Sequence, residues 1–153
     1  MFCDDSVSDT CQHICYWICH YHIRLPPFIL KDAAHRDLHD GQLLWDGREL
    51  SLIDLDTAAA AEAALDLGNL AAHVDLMRVT GRLGAAAHDR VLGLLDDVAS
   101  HLPTTARRLR TYTDAARLRL ALVHVFRPGA GAWLAAWTHL ALNSTTTLGW
   151  RAE

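Results

Sequence analysis

The chain has 153 residues, 51% of them hydrophobic, and a formal net charge of −4 with its ten histidines counted neutral. That is one domain's worth of chain with enough apolar material for a packed core, and its basic residues are scattered, which disfavours nucleic acid as a partner. No run of about eighteen apolar residues exists to cross a membrane, and Asp4 and Asp5 stand where a signal peptide would carry Lys or Arg. The expectation is a cytoplasmic protein with no membrane association.

Residues 1–32 read differently from the rest. All the cysteines (Cys3, Cys11, Cys15, Cys19) fall here, a clustering that argues against a secreted disulfide framework. Ala33 is the first alanine, Lys31 the only lysine, and from residue 33 onward Ala, Leu, Asp and Arg dominate. The expected boundary is an atypical N-terminal segment over 1–32 and a body over 33–153. The break fits a linker, a small separate element or a stretch outside the frame of the body. Within the segment the pattern predicts a short helix over 11–22, stopped by Pro26-Pro27. Cys11, Cys15 and Cys19 then share one face, either as a buried stripe or as a metal site with His13, His20 or His22. There is no C-x-x-C spacing to favour the metal.

In the body, Leu43-Leu44-Trp45 and Arg48 to Ile53 are apolar or alternating runs joined by Asp46-Gly47, which predicts a hairpin with a two-residue turn. Helical spacing follows in Leu67, Leu70, Val74 and Met77, in Val91, Leu94, Leu95 and Val98, and in Leu109, Ala116, Leu120 and Val123. Gly81 and Gly84 punctuate the first junction, Pro103-Thr104-Thr105 opens the third helix and Arg127-Pro128-Gly129 closes it. A fourth helix is expected from Gly131 to Leu142, with Trp133 and Trp137 packing on one face.

The residues that carry chemistry stand around the hairpin. His35-Arg36-Asp37-Leu38-His39-Asp40-Gly41-Gln42 precedes it, and Ile53-Asp54-Leu55-Asp56 follows it. Phosphoryl transfer needs a carboxylate to orient a hydroxyl nucleophile and hard oxygen ligands for Mg2+ on the nucleotide phosphates. A loop running into a hairpin can bring both together, because paired strands lie about 5 Å apart. Asp37 and Gln42 have the offset of the kinase pattern H-R-D-x-x-x-x-N.

With Leu65-Asp66-Leu67-Gly68 added downstream, this order resembles the catalytic loop, metal loop and Asp-Leu helix start of the aminoglycoside phosphotransferases and the related choline and homoserine kinases. The resemblance implies a protein kinase-like fold of which this chain is a partial C-lobe, mainly α with one β-hairpin. It implies Mg2+ and ATP as cofactors and a small-molecule hydroxyl acceptor, often cationic, as substrate. Asp37 would be the catalytic base, Asp54 the principal Mg2+ ligand and Gln42 the second. His35, Arg36 and Asp66 would support the loop, the Asp66 carboxylate receiving hydrogen bonds from its backbone, with His39 and Asp56 as further candidates.

The chain departs from the family at Gln42, where Asn is usual, at Asp40, where proline is common, and at Arg36, where glycine is common. Upstream of His35 there is no Gly-rich loop, and Lys31 sits too close to the catalytic loop to serve the nucleotide. The expected function is therefore the catalytic-lobe fragment of an ATP-dependent small-molecule kinase, inactive or weak alone. A non-catalytic kinase remnant or binding module is the alternative. A metal-dependent hydrolase built on His35, Asp37, His39 and Asp40 is a third reading. Apolar surface left uncovered by the missing lobe would favour a homodimer. Asp89, Asp96, Asp97 and Asp114 are expected on solvated helix faces.

Overall fold

The computed structural model describes residues 33–144. The helix expected over 11–22 and the Cys and His residues around it lie outside them. The described chain is a two-stranded antiparallel hairpin followed by helices: β1 (Leu43–Trp45), β2 (Leu50–Leu52), α1 (Ala63–Val79), α2 (Ala85–Ser100), α3 (Ala106–Val125) and α4 (Gly131–Ser144). It is mainly α with one hairpin, as the periodicity predicts. Among the described residues, no helix is long and apolar enough to cross a membrane.

The strands pair Leu43 with Leu52 and Trp45 with Leu50, so the connection is four residues long rather than two. The Asp46 side chain explains the difference. Its Oδ1 accepts from the Arg48 and Glu49 amides at 2.8 and 2.7 Å, which closes a wider turn in which Gly47 takes the left-handed conformation at φ 97°. Those two backbone hydrogen bonds, from Glu49 foremost and then Arg48, hold the Asp46 carboxyl below its ordinary range.

Helix α1 is the centre of the molecule, because its apolar residues run around most of its circumference and a helix of that kind is stable only when covered on several sides. Leu67, Leu70, Val74 and Met77 pack against Leu83, Ala87, Val91 and Leu95 of α2 and the turn before it. On another side, Ala72 joins Ala116 and Leu120 of α3 and the fully buried Trp137 of α4. Trp133 is partly buried against the same cluster, so both tryptophans are packing residues, and its ring meets His124 edge-on at 5.1 Å between centroids. Thr105 starts α3 as an N-cap, its side chain accepting from the Arg108 amide at 3.2 Å. Beyond the packed faces, Leu122, Val125 and Phe126 near the end of α3 are exposed.

Helices α1 and α3 cross so closely at Gly68 that a Cβ there would lie 2.7 Å from both the Thr113 amide nitrogen and the Tyr112 Cβ. The obstacle is largely backbone, which cannot swing aside. Gly68→Ala is expected to cost about 1–3 kcal/mol, the range for overpacking a core, measured by chemical denaturation; an unchanged midpoint would show that the helices separate freely.

A buried ionic group ties α1, α2 and α3 together. Asp75 accepts from Arg117 Nε and Nη2 at 2.9 and 2.6 Å and from His88 Nε2 at 2.8 Å, and Arg117 also pairs with Asp114 at 2.9 Å. Asp114 is therefore buried and paired, not on a solvated face as its sequence context suggests, whereas Asp89, Asp96 and Asp97 are exposed. Burial alone would lower the His88 pKa, but the Asp75 and Asp89 carboxylates, one at each ring nitrogen, outweigh it and raise the value above 6.5. A raised histidine pKa contributes stability in full below pH 6.5, and that contribution is lost as the pH rises through the folded-state value. The stability difference between the native chain and His88→Gln should thus shrink from pH 6 towards pH 8.5 in thermal melts; a difference that stays flat would mean His88 is neutral throughout.

Candidate functional site

The loop from His35 to Gln42 is fixed to the fold at several points. Ala34 and Ala59 exchange backbone hydrogen bonds of 2.8 and 3.0 Å, which brings the start of the loop beside the chain that leaves the hairpin. Asp66, in the first turn of α1, then accepts from the His35 and Arg36 amides at 2.7 and 2.8 Å, one with each carboxylate oxygen. A carboxylate at that end of a helix also faces the positive end of the helix dipole. The expected hydrogen bonds from the loop backbone to Asp66 are thus present. His35 is buried, and its Nε2 meets the Ile53 carbonyl oxygen at 2.8 Å, while its own carbonyl accepts from Thr57 Oγ1 at 2.9 Å.

Arg36 has φ 72°. A left-handed arginine costs about 1–2 kcal/mol relative to the ordinary regions, and the Asp66 clamp on its amide holds it there. Its guanidinium reaches the Thr57 carbonyl at 3.5 Å.

Across the hairpin, the two expected metal ligands meet. Gln42 is buried at the start of β1 and Asp54 follows β2 in a left-handed conformation, φ 62°, which an aspartate tolerates better than most residues. The Ile53 amide bonds the Gln42 carbonyl at 3.1 Å, and Gln42 Nε2 donates to Asp54 Oδ2 at 3.1 Å. Asp56 lies in the 3-10 turn over Leu55–Thr57. The neighbouring Asp56 side chain, and then the hydrogen bond from Gln42, hold the Asp54 carboxyl below its ordinary range. An ionised carboxylate with an amide and a second carboxylate beside it is a donor set that suits a hard divalent cation.

Asp37 is bonded to neither Gln42 nor Asp54. Its carboxylate forms an ion pair with Arg119 of α3, Oδ1 to Nη1 at 3.2 Å, with both side chains partly open to solvent. Arg119 Nη2 donates to Asn69 Oδ1 at 2.7 Å, and Asn69 Nδ2 donates to the Leu38 carbonyl at 2.8 Å, so one amide from α1 joins the loop backbone to the arginine.

The middle of the loop forms a third group. His39 caps the 3-10 turn over Asp40–Gln42 by accepting from the Gly41 amide at 3.0 Å, and its ring lies so near that a Cβ on Gly41 would come within 2.9 Å of His39 Cε1. The imidazole stacks on that of His73 from α1, 4.8 Å between centroids and 19° between planes. Asp40 is buried beside them, paired through Oδ2 with Arg82 at 3.2 Å. Burial pushes the His73 pKa down to about 4, helped by the charge of His39 and opposed by Asp40. Of the residues expected together as a hydrolase centre, His35 and Asp37 are engaged elsewhere, and His39 and Asp40 are joined instead by His73.

Sequence reasoning missed Asn69, His73 and Arg119. The first two carried a signal, because Asp66, Asn69 and His73 fall at i, i+3 and i+7 on one helical face. Arg119 carried none, since its position depends on how α3 crosses α1.

Replacing Asp66 by Ala should leave the His35 and Arg36 amides unprotected while those in the core of α1 stay protected, read residue by residue in hydrogen exchange. Retained protection at His35 and Arg36 would mean that the Ala34–Ala59 pairing alone organises the loop.

Compared with protein-family models, with curated proteins and with solved structures, the chain gives no match.

Proposed function

We propose that this chain is the catalytic-lobe part of an ATP-dependent phosphotransferase, a protein kinase-like partial C-lobe of the aminoglycoside phosphotransferase type, acting on a hydroxyl group of a small molecule. The observation that carries the reading is a pair of convergences: Asp66 holds the loop backbone at His35 and Arg36, and Gln42 meets Asp54 across the hairpin. A chance Asp-x-Asp turn or a simple helix cap would supply neither link to the loop.

Mg-ATP, when bound, would supply the transferable phosphoryl group and a cation to screen its charge. The chain's own contribution is positional. Asp54 and Gln42 offer oxygen ligands at the hairpin mouth, with Asp56 in reserve. Asp37, near the surface, pairs with Arg119 through Oδ1 and would use Oδ2 to orient an acceptor hydroxyl and take its proton. His35, through its bond to the Ile53 carbonyl, ties the loop that bears Asp37 to the residue preceding Asp54. The Arg119 guanidinium beside Asp37 means that a cationic acceptor has to carry its charge away from this point.

A non-catalytic remnant or binding module is a second reading, and the Asp37–Arg119 pair favours it, because the carboxylate that an acceptor needs is already engaged. The two separate in nuclear magnetic resonance titrations of the labelled chain with millimolar ATP, with and without Mg2+. The phosphotransferase reading expects Mg2+-dependent shifts at Gln42, Asp54 and Leu55 that vanish in Asp54→Asn, whereas Asp37→Asn retains them and abolishes any phosphoryl transfer. Absence of Mg2+-dependent shifts, or shifts that persist in Asp54→Asn, would overturn it.

A further inference from the structure

We infer that His39, Asp40 and His73 form a binding site for a borderline divalent transition-metal ion of the Zn2+ class, separate from the Asp54–Gln42 pair and independent of nucleotide. Among the described residues, this is the group of His, Cys, Asp or Glu side chains whose potential ligand atoms converge, all within 4.8 Å of one another. Two imidazoles and one carboxylate are a ligand set that Zn2+, Co2+ and Ni2+ prefer over Mg2+, which favours oxygen donors throughout.

The geometry is close to what such an ion needs. Nδ1 of His39 and Nδ1 of His73 lie 4.0 and 3.8 Å from the same oxygen, Asp40 Oδ1. Donors around a tetrahedral zinc, with bonds of about 2.0–2.1 Å, stand about 3.4 Å apart, so each nitrogen is within about 1 Å of the separation from the Asp40 oxygen that an ion requires. The two rings are stacked and His39 Nδ1 accepts from the Gly41 amide, so binding requires the imidazoles to turn out of the stack, and His39 to give up that cap, until their lone pairs converge. Asp40 is already oriented for the role: Arg82 holds Oδ2, which leaves Oδ1 towards the histidines, as outer partners do for ligating carboxylates.

An independent observation points to an occupant. His73 Nε2 is buried with no hydrogen-bond partner, and its Nδ1 is too far from Asp40 for a hydrogen bond. Among the described residues Nδ1 has no hydrogen-bond partner either, so an ion bound there displaces no hydrogen bond of the His73 ring. Its ligands join residues 39 and 40 of the loop to residue 73 of α1, so metal would cross-link the loop to the central helix. With three protein donors, a fourth position stays open to water or to an exogenous ligand.

The test is titration of the metal-stripped full chain with Co2+, followed by its visible absorption, and competition by Zn2+. Cys3, Cys11, Cys15 and Cys19 are ligands in their own right, so the same titration is run with all of them changed to Ser. The inference expects one Co2+ with nitrogen and oxygen ligation, without thiolate charge-transfer bands, to survive in the cysteine-free chain. It expects His73→Phe and Asp40→Asn to weaken that binding at least about a hundredfold, beyond the loss usual for an outer-sphere partner. Asp40→Asn is nearly isosteric and decides the matter if His73→Phe does not fold. Loss of all binding with the cysteines, or an unchanged affinity in Asp40→Asn, would overturn it.

Discussion

Everything the candidate site could do depends on the Asp66 carboxylate. It accepts from two consecutive loop amides, one on each oxygen, and it sits in the first turn of the helix on which α2, α3 and α4 are built. A loop that carries a left-handed arginine is locally strained, and a clamp anchored in the core is what makes such a conformation persist. From that clamp the other contacts follow. His35 reaches the Ile53 carbonyl, Asn69 reaches the Leu38 carbonyl three residues farther along α1, and the loop runs into β1 so that Gln42 faces Asp54.

Charge is distributed by the same economy of placement. The ionic groups that hold the helices together lie between α1, α2 and α3, where Asp75 is saturated by Arg117 and His88. Those around the loop are unsaturated by comparison. Among the described residues, Asp37 pairs with Arg119, Asp54 carries an amide and a neighbouring carboxylate, and the His73 ring makes no hydrogen bond. Fully paired buried charges specify packing, whereas incompletely paired groups near the surface are where ligands find purchase. The contrast separates a structural half of the polar network from a half able to accept something else.

Much of this was legible in the chain itself. The helices follow the 3.6-residue spacing of their apolar positions, and the hairpin follows from Asp46-Gly47 between alternating runs. Its turn was two residues too short as read, because the Asp46 side chain accepts from the Arg48 and Glu49 amides and closes a wider turn than the Asp-Gly pair implies. The hairpin brings Gln42 to Asp54, whereas Asp37, expected at the same end, is paired with Arg119 instead. Asp114 was misread as solvated because a lone helical carboxylate reads as exposed, while the partner that draws it inward, Arg117, is itself partly buried against Asp75 from another helix. His73 and Arg119 reach the loop only through helix packing, and packing angles leave no local trace in a single sequence.

Gly68 gives that packing an unexpected reach. The residue after it, Asn69, and Arg119 on the opposing helix are the two links that connect α1 and α3 to the loop at Leu38 and Asp37. The missing side chain at position 68 is thus a spacing rule for the site as well as for the core: whatever sets the gap between those two helices also sets whether Arg119 can touch Asp37. A wedge driven in at a position that contacts neither residue would act as a dimmer on the carboxylate, from behind the wall that bears it.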